Sequence, residues 1–356
     1  MQPIVPIKAC FDHAKKALLL VIPSLSLAGC HPAPVGLEDL HDYQLRVSNT
    51  LEQEPITFTP VSPLRAPTQR QFRMELPSIQ ISLLDSMRLD ACSAGALIAE
   101  RNSSLGRLMR GVQRHYHDRK LLAALYECVA EMDGQQAELA ERILAQADAK
   151  TELLPLLRMQ AIITDNSLQQ LLRVGDRPLA NPDAAVLAPL LAALPPILKT
   201  LDPQQELPDE QELLQALELI EKSPYAGQLW RALIDNEQYL TRMAPRARTL
   251  SVQAGCTAVA VPERAQILRQ VFVSRFGGPV QHHISTLTHQ AQQLEPYLSE
   301  LHAPSSVLQS YPNFASWNDY LTQLMQLDDT LTATTKQHVH YWQQLFSDCG
   351  FTPGSQ

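Results

Sequence analysis

Residues 284–301, ISTLTHQAQQLEPYLSEL, place Ile284, Leu287, Ala291, Leu294, Leu298 and Leu301 at alternating intervals of three and four. That spacing gathers all six on one face of an α-helix and makes the seam of a helical bundle. Pro296 falls inside the run and bends it or starts a fresh helix. The rest of the chain agrees with this choice of period. Glycine numbers only 13 in 356 residues, about half the usual ~7%. A chain poor in glycine and rich in Leu, Ala, Gln and Glu points away from turn-dense β sandwiches and toward helices.

Working outward from the seam, about Phe314–Phe346 is expected to close the domain as one or two helices. On the other side, Leu229, Trp230, Leu233 and Ile234 keep a helical pattern. Asp209 and Glu212 form a capping box in its D-x-x-E variant, opening a helix that turns Leu213, Leu214, Leu217 and Ile220 inward. Before it, Pro178, Pro182, Pro189, Pro195, Pro196, Pro203 and Pro208 predict short or kinked helices and a boundary between two lobes. Farther upstream, one helix is predicted over about Gln135–Thr164, with Ala140, Ile143, Leu144, Ala147, Leu154 and Leu157 on one face. Others are expected over about Arg110–Glu131, Pro77–Met87 and Leu37–Glu52. Residues 54–69, with Pro55, Pro60, Pro63 and Pro67, read as an extended surface connector. The fold class is all-α, an irregular multi-helix bundle in one or two helical lobes with proline-broken segments. Its expected divisions are an N-terminal lobe at 37–176, a Pro-rich connector at 177–208 and a C-terminal lobe at 209–356.

The N-terminus carries a different signal. Lys8, Lys15 and Lys16 precede the uncharged apolar run Ala17–Ala28. The run is too short for a membrane-spanning helix of ~20 residues and suits the core of a signal peptide. It ends in Leu27-Ala28-Gly29-Cys30, which resembles the bacterial lipobox, whose cysteine receives a diacylglyceryl group before cleavage. Residues 1–29 are therefore expected to be removed, Cys30 to be lipidated and 30–36 to form a short membrane tether. Two or three acyl chains, at roughly 0.8 kcal/mol per buried methylene, make such an anchor permanent. His31, rather than Asp, follows the cysteine, which favours the outer membrane, with the body facing the periplasm. The lipid bilayer is then the first partner. With Lys+Arg 29 against Asp+Glu 37 and a net charge of −8, no nucleic acid is expected as another.

Beyond Cys10 and Cys30, the cysteines are Cys92, Cys128, Cys256 and Cys349. An even number in an exported chain favours disulfides. Of the three possible connectivities, the sequential pairing Cys92–Cys128 and Cys256–Cys349 is preferred, because each pair brackets one helical block. C-x-x-C and paired Cys/His spacings are missing, so neither zinc nor another metal or cofactor is expected.

The sequence holds no G-x-G-x-x-G, Walker loop, H-E-x-x-H, G-x-S-x-G or S-x-x-K, and no catalytic residue is assigned. The histidine pairs His115/His117 and His338/His340, with His282, His283 and His289, read as surface or satisfied core side chains. The polar run Glu100, Arg101, Asn102, Ser103 and Ser104 interrupts an apolar context. It reads as a helix–cap–helix corner in which Glu100 and Arg101 pair with neighbouring helices. The other reading is a polar pocket, with Ser103 or Ser104 as nucleophile, Arg101 as anion ligand and His115 or His117 as base.

The lipobox, Cys92 before LIAERNSSLGR, Cys128, Gly255-Cys256 and Cys349-Gly350 together resemble an uncharacterised family of proteobacterial lipoproteins, the domain of unknown function number three thousand and eighty. The resemblance covers essentially the whole mature chain and implies a lipoprotein of the cell envelope. It implies no known reaction. Two roles follow: a non-enzymatic envelope protein binding a protein or envelope component, or an envelope hydrolase or small-ligand-binding protein using Glu100–Ser104.

Overall fold

A computed structural model describes residues 33–72, 74, 81–132, 134–257 and 260–351. The expected signal peptide at 1–29, Cys30 and the first part of the tether lie outside the described residues. Residues from Ala33 onward form one compact unit. It is all-α, with no strand among the described residues.

The seam residues build α13 (Gln281–Ser299), and Ile284, Leu287, Ala291, Leu294, Leu298 and Leu301 are all buried. Pro296 is carried within the helix. Around α13 pack α8 (Ala184–Leu201), α10 (Tyr225–Ala247), α15 (Ala315–Met325) and α16 (Leu327–Asp348). The closing region, expected as one or two helices, is two. Fully buried Trp230, Trp317 and Trp342 keep their indole N–H groups bonded, the first two to the carbonyls of Leu171 and Leu301 at 2.9 and 3.0 Å. The third donates to Nε2 of His338, which also meets the Tyr43 hydroxyl at 2.8 Å. Satisfying each polar tip lets the large rings bury at no hydrogen-bond cost.

At the start, α1 (Glu38–Thr50) follows its predicted span closely. Residues 54–68 are extended and lay Ile56, Phe58, Leu64 and Ala66 on the core. An extended proline-rich backbone has no internal hydrogen bonds, so its carbonyls need partners. α10 supplies them: Arg246 donates to the Glu54 carbonyl at 2.7 Å, and Arg242 to the Thr59 carbonyl at 2.9 Å.

A smaller, separate hydrophobic core forms among α3 (Ser93–Asn102), α4 (Gly111–Glu131) and α5 (Ala137–Glu152), joined by Leu89 just after the short α2 (Leu83–Arg88). α4 serves both cores, giving Val112 and Tyr116 to the main one and Leu122, Leu125 and Cys128 to the smaller. Of the predicted helix at Pro77–Met87, residues 77–80 lie outside the described residues.

Three expectations are corrected. The single helix over Gln135–Thr164 is two, α5 and α6 (Leu154–Thr164), because Pro155 sits in the first turn of α6 and cannot continue α5. Leu144 and Leu214, expected on inner faces, are exposed. The proline-rich stretch is helical at its centre: α8 runs unbroken for 18 residues with Pro189, Pro195 and Pro196 inside it. Each such proline removes a backbone hydrogen bond, but α8 buries Leu187, Leu190, Leu194 and Ile197 against the core, and that burial outweighs the loss.

The remaining elements follow in order. After α6 comes α7 (Asn166–Leu172), and after α8 comes α9 (Glu210–Lys222). Asp209 caps α9, accepting the N–H groups of Gln211 and Glu212 at 2.9 and 3.2 Å, which is the N-cap half of the expected capping box. α11 (Leu250–Ala254) and α12 (Glu263–Val271) lead to a π-helical stretch, Phe272–Val280, which packs on α1. α14 (Ser305–Ser310) precedes α15.

Disulfides join Cys92 to Cys128 and Cys256 to Cys349, the sequential pairing. Cys92→Ser or Cys256→Ser should each lower unfolding free energy by ~2–5 kcal/mol. Each should also free one thiol; four alkylated thiols in unreduced, denatured wild type would refute the crosslinks.

Candidate functional site

The polar segment folds as a closed corner. α3 ends at Asn102, and the Ser103 N–H bonds back to the Ala99 and Glu100 carbonyls at 3.1 Å. The Ser103 hydroxyl accepts the Gly106 N–H at 3.0 Å, while the Arg101 guanidinium donates to the Gly106 carbonyl. Gly106 is buried against the turn it closes, and a β-carbon there would lie 2.1 Å from the Glu100 carbonyl oxygen. ERNSSLG is therefore a self-bonded turn that only glycine completes.

Glu100 reaches α4, with its carboxylate 3.7 Å from Nε2 of His117. Arg101 turns to the local backbone instead of a neighbouring helix. Asn102, Ser103 and Ser104 are exposed, and neither serine hydrogen-bonds to His115 or His117. The alternative nucleophile–base arrangement is not assembled at this corner. Beyond it, Leu105 and Leu108 stand 77% and 67% exposed.

Next to the corner lies a cleft of about 750 Å³ between residues 108–110, α4, α6, α7 and α9. Its floor is set by Asp165, which caps two helices at once. One carboxylate oxygen accepts from Val112 at the start of α4 (2.9 Å), and the other from Ser167 and Leu168 at the start of α7 (2.9 and 3.2 Å). Burial pushes the Asp165 carboxyl upward, and these N–H groups pull it back down. Gly111 makes the approach possible: its φ is +56°, and a β-carbon would fall 2.3 Å from an Asp165 oxygen.

The other acids of the cleft are engaged. Asp118 takes Lys150 at 2.9 Å and stands 3.7 Å from Arg114. Glu218 pairs with Lys222, and Glu221 accepts from Asn166 at 3.5 Å. The Arg110 side chain has no ion-pair or hydrogen-bond partner among the described residues. His115 borders the cleft at 2% exposure with both ring nitrogens unpartnered, and burial pushes it down to about 4. Among the described residues no three His, Cys, Asp or Glu side chains converge to hold a metal ion.

Sequence reasoning missed Asp165, Arg110 and Arg114. Asp165 was open to discovery as an N-cap, since it directly follows the helical pattern ending at Thr164. Its second helix, 53 positions upstream, left no such mark.

Two outcomes follow. Asp165→Ala should cost about 2–4 kcal/mol by stranding buried N–H groups on two helices, whereas exposed Ser104→Ala should stay within about 0.5 kcal/mol. Chemical denaturation measures both. The buried histidines also fix the sign of the pH response. Burial holds His115 at about 4 and His338 at about 3, below the ordinary 6.5. The unfolded chain therefore binds protons first, so stability is full above pH 6.5 and falls as pH drops toward 4. A urea midpoint that is no lower at about pH 5 than at about pH 7.5 would contradict this.

No curated protein and no solved structure matches the chain. A family model described as "Protein of unknown function (DUF3080)" matches residues 40–353, from within α1 to beyond the last cysteine. The helical body, both disulfides, the corner and the cleft all fall inside that match, and the protein belongs to this uncharacterised family.

Proposed function

We propose that the protein is a lipid-anchored lipoprotein of the bacterial cell envelope, held by Cys30 in the outer membrane and facing the periplasm, whose helical body binds a ligand or envelope partner without catalysing a reaction. The anchor is supported by Leu27-Ala28-Gly29-Cys30 after an apolar run, and the outer membrane by His31 at the next position. The two disulfides suit an oxidising compartment.

One observation carries the binding role. The corner spends its serine and arginine on its own backbone, and the polar cleft beside it is of the volume that holds a small ligand. A rigid turn beside an open cleft is a way to present a binding surface.

Cys30→Ser should leave the protein in the soluble fraction and abolish palmitate labelling, and a wild type without lipid would refute the anchor. For the binding role, a photocrosslinking phenylalanine analogue in place of Leu108, exposed on the cleft rim, should yield a discrete adduct in intact envelopes. Illumination that yields none would refute it.

A further inference from the structure

We propose that the end of the body bearing the tether and the corner rests on the phospholipid bilayer, with Leu105 and Leu108 seated in its interface and Arg107 and Arg110 on lipid phosphates. The inference rests on the anchor reading above and adds how the body is oriented on its membrane.

Three observations meet at this end. First, the fold brings the tether and the corner to the same end of the antiparallel pair α8 and α9. Asp183, the N-cap of α8, is held at 2.8 Å by Tyr225, three residues beyond the end of α9. Gly36, where the tether joins the body, lies against Pro178 and Leu179 just before α8. Leu108 and Arg110 line the cleft with Glu218 and Glu221, in the last turns of α9. The opposite end of the pair is marked by Arg119, which donates to the Lys199 and Thr200 carbonyls, and by Lys120 on Glu210. Residues 30–36 span at most ~20 Å, so a bilayer holding Cys30 lies within reach of the tethered end.

Second, this end exposes large apolar side chains. Leu105 and Leu108 are one 3-10 turn apart, so both project to the same side of the corner. Val35 in the tether and Val186 in the first turn of α8 are exposed as well. Single exposed apolar side chains are ordinary, whereas a group of them marks a protein or membrane contact. Third, the local charge is opposite to that of the whole. The chain carries −8, yet from Arg101 to His117 it has four arginines and no acid. Arg107, Arg110 and Arg114 are exposed. Of the cleft acids, Asp118 and Asp165 are buried and Glu218 pairs with Lys222. Leucines set between arginines suit the headgroup boundary, where apolar side chains enter the acyl region and guanidinium groups meet phosphates. The tether keeps the bilayer at this end permanently, which favours lipid over a protein as the occupant. Two leucines hold only weakly by themselves, so loss of the lipid anchor still releases the protein.

The test uses the lipidated protein in vesicles of phosphatidylethanolamine and phosphatidylglycerol. A polarity-sensitive fluorophore is attached at Leu105→Cys, the wild-type cysteines of the mature chain being acylated or disulfide-bonded. Its emission should shift to shorter wavelength and fall about twofold or more when the phospholipids carry a nitroxide high on the acyl chain. The same label at Val252→Cys, exposed on α11, which packs on α16 and α12, should stay unquenched. Leu108→Glu should return the Leu105 label to water, since a charge resists burial in the interface. Leu108 is exposed, so palmitate incorporation and the thermal midpoint should stay at wild-type values. Arg107→Gln combined with Arg110→Gln should remove the rise in quenching that added phosphatidylglycerol produces in the wild type. Palmitate incorporation with an unquenched Leu105 label would overturn the orientation and leave the anchor standing. A label shielded from water yet untouched by the lipid nitroxide would mean that a protein covers this end, and would overturn it too. Quenching indifferent to the arginine pair would overturn the phosphate contacts, and a wild type without lipid would overturn both readings.

Discussion

One buried carboxylate organises the middle of this molecule. Asp165 holds the first N–H groups of α4 and α7 together, 2.9 Å from Val112 on one side and from Ser167 on the other. Two helix N-termini carry like partial charges and repel when brought close. An anion between them reverses that sign and lets α4 start against the main core. Gly111 is bound to this arrangement by its backbone: its φ of +56° and the missing β-carbon admit the Asp165 oxygens. Both helices start at this carboxylate, and the first residues of both line the cleft.

Around that point the chain solves a second problem, the unpaired backbone of its extended segment. The strap after α1 has carbonyls that no helix satisfies, and α10 answers with Arg242 and Arg246. The Arg242 and Arg246 heads bond the strap carbonyls, Tyr239 meets the ring of Phe58 in the strap, and Trp230 is buried in the core. One helix thereby secures the core and the strap across it. The aromatic group of Tyr43, Phe276, His338 and Trp342 joins α1 to α16 through the π-helical stretch between them.

What was legible in the sequence were features whose cause is local or periodic. The seam at 284–301 shows itself because six apolar residues keep one period, and Asp209 because its cap lies two and three residues away. Pro155 was a local signal too, and it divides what the apolar pattern alone joins. The three prolines of α8 are the opposite case. Their cost is local, but the burial that overrides it comes from helices distant in sequence. The corner was readable as a turn from its polar run and glycine. The cleft was not, since its walls come from residues 108–118 and from helices up to a hundred positions away. The π-helical stretch likewise has no period of its own to read.

α3 and α4 form a hairpin closed at both ends, by the corner at one and by Cys92–Cys128 at the other. At 1.5 Å per residue, the 21 residues of α4 make a rod about 31 Å long. Tilting such a rod by about 5° about its far end would sweep the near end through about 2.7 Å, close to one hydrogen-bond length. The crosslink and the Asp165 anchor together act on an angle, as two bearings hold a shaft. Alignment of the cleft wall is thus a mechanical property, set partly by a sulfur bridge near the opposite end of the helix.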